Sequence, residues 1–148
     1  MADQADTFAD DIPSPPLHQS EDELPVYAKY GEAAHGGFQA VPDLLLKNQD
    51  VLRLSAVDMV VLLNVLMHWW YPQQKPFPRS ETISRRMGVT PRTVQRSLQN
   101  LEQENLLLRE KGRDGRSYLN PQPLVERLGK LALKDTDYWV RKGRRNAA

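Results

Sequence analysis

The stretch 80-SETISRRMGVTPRTVQRSL-98 constrains this chain more tightly than any other. Ser80 is a good N-cap residue, and Ile83 and Met87, four apart, set an apolar stripe along a first short helix. Gly88 stands where a left-handed residue would end that helix. Thr90 is placed to cap a second helix, and Pro91 suits its first position, where the missing N–H does no harm. Val94, Leu98 and Leu101 then fall within about 60° of one another at ~100° per residue. Arg92, Arg96, Gln99 and Gln103 lie opposite, flanked by Thr93, Gln95 and Asn100. Two helices are therefore expected to meet across a three-residue turn, with Ser84 as the small residue at their crossing. The outer face of the second holds no acid before Glu102.

Two short helices joined by a glycine-containing turn form a helix-turn-helix, and the outward chemistry suits DNA. Arginine pairs with guanine O6/N7, glutamine with adenine N6/N7, and threonine touches a thymine methyl or a phosphate. The following residues extend the pattern. The run 106-LLLREK-111 has strand character, 112-GRDG-115 carries an Asp-Gly turn signal, and 116-RSYLN-120 reads as the returning strand. Arg109, Lys111, Arg113 and Arg116 would line this basic hairpin or sit at its tip.

Upstream, Ser55 and Asp58 have capping-box spacing before 56-AVDMVVLLNVLMHWWY-71, whose apolar circumference predicts a buried helix. Sixteen residues make a rod of roughly 24 Å, closed by Pro72. Trp69, Trp70 and Tyr71 at its end are expected to pack rather than stack bases. The segment 72-PQQKPFPR-79, with three prolines, must be a loop. Before the helix, Phe38, Val41, Leu44 and Leu45 could pack against the domain. After the hairpin, Asn120 and Pro121 can start a last helix with Leu124, Val125, Leu128, Leu131 and Ala132 along one side.

The net charge of +1 conceals an asymmetry. Residues 1–37 carry eight acidic side chains against Lys29 alone, a net of −7, whereas residues 38–148 come to +8. A basic domain for a polyanion and an acidic tail follow from this division. Residues 1–37 bury too little to offset their ordering entropy and are expected to be disordered, with 24-LPVYAKY-30 the one stretch able to dock. The reading divides the chain into a disordered acidic tail at 1–37, a domain at 38–133 and a basic flexible tail at 134–148. There is no cysteine, and His18, His35 and His68 are too far apart for a metal site. Neither a phosphate loop nor a nucleophile–base pair appears at useful spacing. The expectation is a protein that binds and does not catalyse, with no cofactor and no membrane span.

Taken together, these residues resemble the winged helix-turn-helix domains of bacterial, plasmid and phage regulatory and replication proteins. The resemblance spans about residues 38–120, through 38-FQAVPDLLL-46, 52-LRLSAVDMVVLLNVL-66 and 77-FPRSETISRRMGVTPRTVQRSLQNLEQENLL-107 with the hairpin beyond. Arg86 and Met87 depart from it, standing where alanine or leucine is frequent. It implies a mainly α fold with a small β-hairpin, a recognition helix 91–105 in the major groove, and a wing 106–120 on adjacent backbone or minor groove. Carried over, Arg92, Thr93, Gln95, Arg96 and Gln99 become base contacts. Ser80, Thr82, Arg85 and Thr90 become backbone contacts, with Arg109, Lys111, Arg113 and Arg116 on the wing. Double-stranded DNA is then the partner, met by a homodimer paired through the last helix or by a single copy with that helix on its own domain. The place of action would be the cytoplasm, at the nucleoid. Transcriptional control and plasmid or phage replication or maintenance remain open. So does an adaptor of a replisome or partition complex, meeting a protein through the winged helix and the acidic residues 1–37.

Overall fold

Ser55 and Asp58 begin the element on which the rest is assembled. In the computed structural model, which describes residues 24–147, helix α4 (Ala56–Leu66) opens with a complete capping box. The Ser55 hydroxyl accepts from the Asp58 N–H at 3.0 Å, and the Asp58 carboxylate accepts from the Ser55 N–H at 3.4 Å. Ahead of it lie α1 (Pro25–Tyr30), α2 (Glu32–His35) and α3 (Asp43–Lys47). After it come α5 (Ser80–Met87), α6 (Pro91–Gln103), the strands β1 (Leu108–Lys111) and β2 (Ser117–Asn120), α7 (Gln122–Ala132) and α8 (Thr136–Ala147). The fold is mainly helical, with one two-stranded antiparallel sheet among the described residues.

Helices α4 and α5 both pack on α6. Met59, Val61, Leu62 and Val65 of α4 meet Ile83 of α5 and Val94, Leu98 and Leu101 of α6 in one buried cluster. Each of these side chains contributes about 1.5–3 kcal/mol when fully withdrawn from water. Inside the cluster runs one polar link. Asp58 also accepts, through Oδ1, from the Ser97 hydroxyl of α6 at 2.6 Å, and the two residues are only 8 % and 2 % exposed.

The apolar run from Ala56 does not stay helical to Tyr71, as its composition suggested. The helix stops at Leu66 because the N–H groups of His68 and Trp69 bond three residues back, to Val65 and Leu66, and tighten the last turn. Trp69, Trp70 and Tyr71 are half-buried outside any helix. At α5 the N-cap position is Arg79, and Ser80 is the first helical residue. Helix α6 ends at Gln103, two residues before the expected 105, with Asn105 turning at a positive φ of 56°.

Helix α7 settles on its own domain. Leu124, Leu128 and Ala132 are buried, α7 packs against α3, and the Leu124 N–H bonds to the Leu106 carbonyl at 3.1 Å. Val125, assigned to this apolar side from its spacing, points outward instead. The stripe named above as a route to a dimer is thus taken up by the chain's own core.

Both flanks hold more regular structure than their composition suggested. Residues 1–23 of the acidic segment lie outside the described residues, but 24–37 contain α1 and α2. Tyr27 gathers them, with its ring 5.0 Å from that of His35 and edge-on to Phe38 at 5.8 Å. The basic stretch expected to be a flexible tail forms α8. Asp135 caps it by accepting from the Tyr138 N–H at 2.9 Å. Lys47 of α3 then reaches Asp137 at 2.8 Å and Asp135 at 3.4 Å, holding α8 to the domain.

The Asp58–Ser97 link carries a stability prediction. Ser97→Ala leaves a buried carboxylate oxygen short of a donor and should lower unfolding stability by about 1–3 kcal/mol. Asp58→Ala also removes the helix cap and should cost about 1 kcal/mol more. Urea midpoints check both. If Ser97→Ala shifts the midpoint no further than Ser117→Ala, at an exposed serine of β2, the link contributes nothing.

Candidate nucleic-acid interface

Gly88 takes the left-handed conformation, φ 68° and ψ 32°, and its N–H returns to the Ser84 carbonyl. This is the α5 stop expected at that position, and it lets Thr90 cap α6 three residues before Thr93. The Thr90 hydroxyl accepts from the Thr93 N–H at 3.2 Å, with Pro91 in the first turn. The start of α6 is therefore held by strictly local chemistry.

From there the two sides of α6 separate. Val94, Ser97, Leu98 and Leu101 are buried, whereas Arg92, Gln95, Arg96, Gln99 and Asn100 are exposed. Four of the five residues expected to touch bases thus share one open surface. Thr93, the fifth, is half-buried, and its hydroxyl lies 3.0 Å from that of Thr90, so both threonines belong to the helix cap.

The expected backbone contacts divide more sharply. Thr82 is 4 % exposed and no phosphate would reach it. It falls on the inner side of α5 beside Ile83 and Ser84, a correction to its expected role. Ser80 lines a groove of about 360 Å³ between α6 and the hairpin, together with Gln95, Gln99, Glu102, Arg109 and Ser117. Arg85 is exposed on α5. Arg109 is not a free cation of the wing. Its guanidinium bonds the Glu102 carboxylate at 3.0 and 3.3 Å, tying β1 to the outer side of α6. The acid at the end of the basic face is thereby matched.

Strands β1 and β2 pair Glu110 with Tyr118 and Lys111 with Ser117, leaving Arg113 and Arg116 in and beside the turn. Gly112 is demanded there by close approach, since a Cβ would lie 2.4 Å from the Tyr118 ring. Asp114 closes the turn. One carboxylate oxygen accepts from the Arg116 N–H at 3.0 Å and the other from the Tyr118 hydroxyl. The side of the hairpin away from α6 is strapped to the proline-rich loop. Lys75 pairs with Glu110, and the Leu119 N–H bonds the Pro76 carbonyl at 2.8 Å. The Phe77 ring meets Tyr118 edge-on at 5.3 Å, and the Arg116 guanidinium lies 5.0 Å from the Phe77 centroid. Lys75, Phe77 and Tyr118 were not among the expected site residues. An aromatic inside the loop 72–79 facing another in the returning strand was the signal that could have found them. Among the described residues no group of His, Asp or Glu could hold a metal, and no helix is long and apolar enough to cross a membrane.

These contacts give the hairpin a defined pH range. The Lys75 ammonium, then the Asn120 amide, hold Glu110 below the usual carboxylate range. The Tyr118 hydroxyl, then the Arg116 N–H, do the same for Asp114. The same bond to Asp114 pushes the Tyr118 phenol up. A depressed carboxylate stabilises above its unfolded pKa and loses this as pH falls through the folded value; a raised phenol stabilises below its unfolded pKa and loses it on the alkaline side. The loop–hairpin contact should hold from about pH 4 to about pH 10. Tyr118 ring resonances followed by NMR should be constant across that window. A transition between about pH 6 and 7 would show that other groups hold the hairpin.

Comparison with the curated proteins finds no match. Among solved structures, the N-terminal domain of the DnaD protein from Geobacillus kaustophilus HTA426 is similar at 21 % identity and a TM-score of 0.50. That likeness covers 82 % of this chain and 97 % of that one. The YusO protein from Bacillus subtilis aligns at 17 % identity and a TM-score of 0.36, over 87 % of this chain and 96 % of its own. Residues 41–138, from two residues before α3 into α8, match the DnaD N-terminal domain. The chain belongs to the DnaD N-terminal domain family, a replication-related family of helical domains.

Proposed function

We propose that this chain is a winged helix-turn-helix module of bacterial DNA replication that binds duplex DNA sequence-specifically. In this reading α5 braces the backbone, α6 enters the major groove, and the hairpin 106–120 is the wing. The supporting observation is the division of α6, whose Arg92, Gln95, Arg96 and Gln99 stand exposed on a helix that buries Val94, Ser97, Leu98 and Leu101. Guanidinium and amide groups at successive turns match the donor and acceptor patterns of base edges. Lys111, Arg113 and Arg116 add attraction to phosphates that does not depend on sequence. Membership in a replication-related family favours replication over transcriptional control. The protein acts on DNA in the cytoplasm and needs neither metal nor cofactor. Two copies on half-sites about 34–36 Å apart are the arrangement that best uses one short recognition helix.

A second reading, an adaptor that meets a replication protein, draws on the net charge of −7 in residues 1–37. Deleting 1–23 separates the two, because it spares α1 and α2. Loss of a protein partner without change in DNA affinity supports the adaptor.

The DNA reading has a quantitative signature. If two copies neutralise about eight phosphates, log K falls with log salt at a slope near −7, losing roughly 10⁴ in affinity between 50 and 200 mM. Arg92→Ala and Arg96→Ala should each cost about 1–3 kcal/mol and relax preference at one base pair. Fluorescence anisotropy on duplexes selected from a random pool measures both. A flat salt response, or unchanged affinity in both variants, would overturn it.

A further inference from the structure

The hairpin has two sides, and only the one toward α6 takes part in reading paired bases, while its cations near the turn can serve either strand. On the other lies a cleft of about 630 Å³ between the loop 73–77 and the turn 112–115. Its walls combine two aromatic rings, Phe77 and Tyr118, with four cations, Lys75, Lys111, Arg113 and Arg116. Glu110 and Asp114 are the two acids that line it. Lys75 is matched by Glu110, and Arg116 lies 3.9 Å from Asp114. Lys111 and Arg113 form no ion pair among the described residues, so the cleft keeps an excess of two positive charges at its mouth.

We propose that this cleft takes an unpaired nucleotide of a DNA single strand. A ring already stacked under a guanidinium is the surface on which nucleobases stack without regard to sequence. Phe77 and Arg116 form such a stack, and the edge-on Tyr118 makes an angled second wall. Tyr118 is not loose: Asp114 holds its hydroxyl, and the bare Gly112 makes room for its ring. The amides of Gln73 and Gln74 line the same cleft and can donate to and accept from a base edge. Lys111 and Arg113 lie where the strand's phosphates would pass. An acidic peptide would use the cations but would gain little from the two rings.

The hairpin then stands between two surfaces. Paired bases meet α6 on one side, and a strand that has left the duplex reaches Phe77 on the other. The proposal depends on nucleic acid being the partner, but not on α6 being the element that reads a duplex.

The full chain is titrated with three fluorescent DNAs: a blunt duplex, the same duplex with a single-stranded overhang, and that overhang with abasic sites. The overhang should tighten binding roughly 5- to 100-fold, and removing its bases should abolish the gain. Phe77→Leu should erase the gain, read as the ratio of overhang to blunt-duplex affinity for the same variant. The paired exposed substitutions Lys111→Ala and Arg113→Ala should weaken binding of all three DNAs without touching the core, and the overhang more than the blunt duplex. Equal affinity for the blunt and overhanging duplexes overturns the proposal, as does a gain that survives abasic sites or Phe77→Leu. Tight binding of a free mononucleotide that the overhang cannot displace overturns it too, since the site would then belong to a small molecule. Failure of the α6 reading looks different: Arg92→Ala would leave blunt-duplex binding intact while the overhang gain persists.

Discussion

The carboxylate of Asp58 is where the architecture is anchored. An apolar stripe sets which side of a helix faces inward, but small rotations about that setting bury almost the same area. One oxygen of Asp58 starts α4 by capping it, and the other receives the Ser97 hydroxyl from the inner side of α6. A directional bond in a site of low dielectric sets the rotation that packing leaves loose. With Ser97 pinned inward, Arg92, Arg96 and Gln99 cannot turn toward the core without breaking it. The fine orientation of the exposed face is therefore set from a nearly buried residue.

The hairpin shows the same economy through charge. Two four-residue strands are too small a sheet to be stable alone. They are held from both sides, by Glu102 of α6 bonding Arg109 and by Lys75 and Pro76 of the loop bonding Glu110 and Leu119. A cation that reads from sequence as a DNA contact serves as a brace instead. Lys111 and Arg113, which form no ion pair among the described residues, sit toward the tip, beyond the braces, with Arg116 already beside Asp114 and Phe77.

Much of this could be read beforehand wherever the determining chemistry is local. Gly88 and Pro91 act through their own backbone and Thr90 through a hydroxyl three residues from its partner, so the α5–α6 junction was legible to the residue. Ser55 and Asp58 were legible as a cap for the same reason, yet nothing in their spacing disclosed Ser97, thirty-nine positions away. Thr82 misled because an eight-residue helix has too few turns for periodicity to tell its inner from its outer polar residues. The length of α4 misled because Trp69, Trp70 and Tyr71 are as apolar as the helix before them, and only backbone bonds mark its end. The cleft beside Phe77 was invisible because its two rings are separated by forty residues and brought together by a loop carbonyl.

Helix α8 has a consequence beyond its own stability. Its attachment uses Lys47 between Asp135 and Asp137 and Arg141 beside Asp43 at 3.9 Å, side chains that all reach solvent, and such pairs weaken as counterions accumulate. The last turns of α8 bear Arg141, Lys142, Arg144 and Arg145. Ionic strength therefore acts on this protein twice, thinning its attraction to a polyanion while loosening the latch that holds its own basic arm.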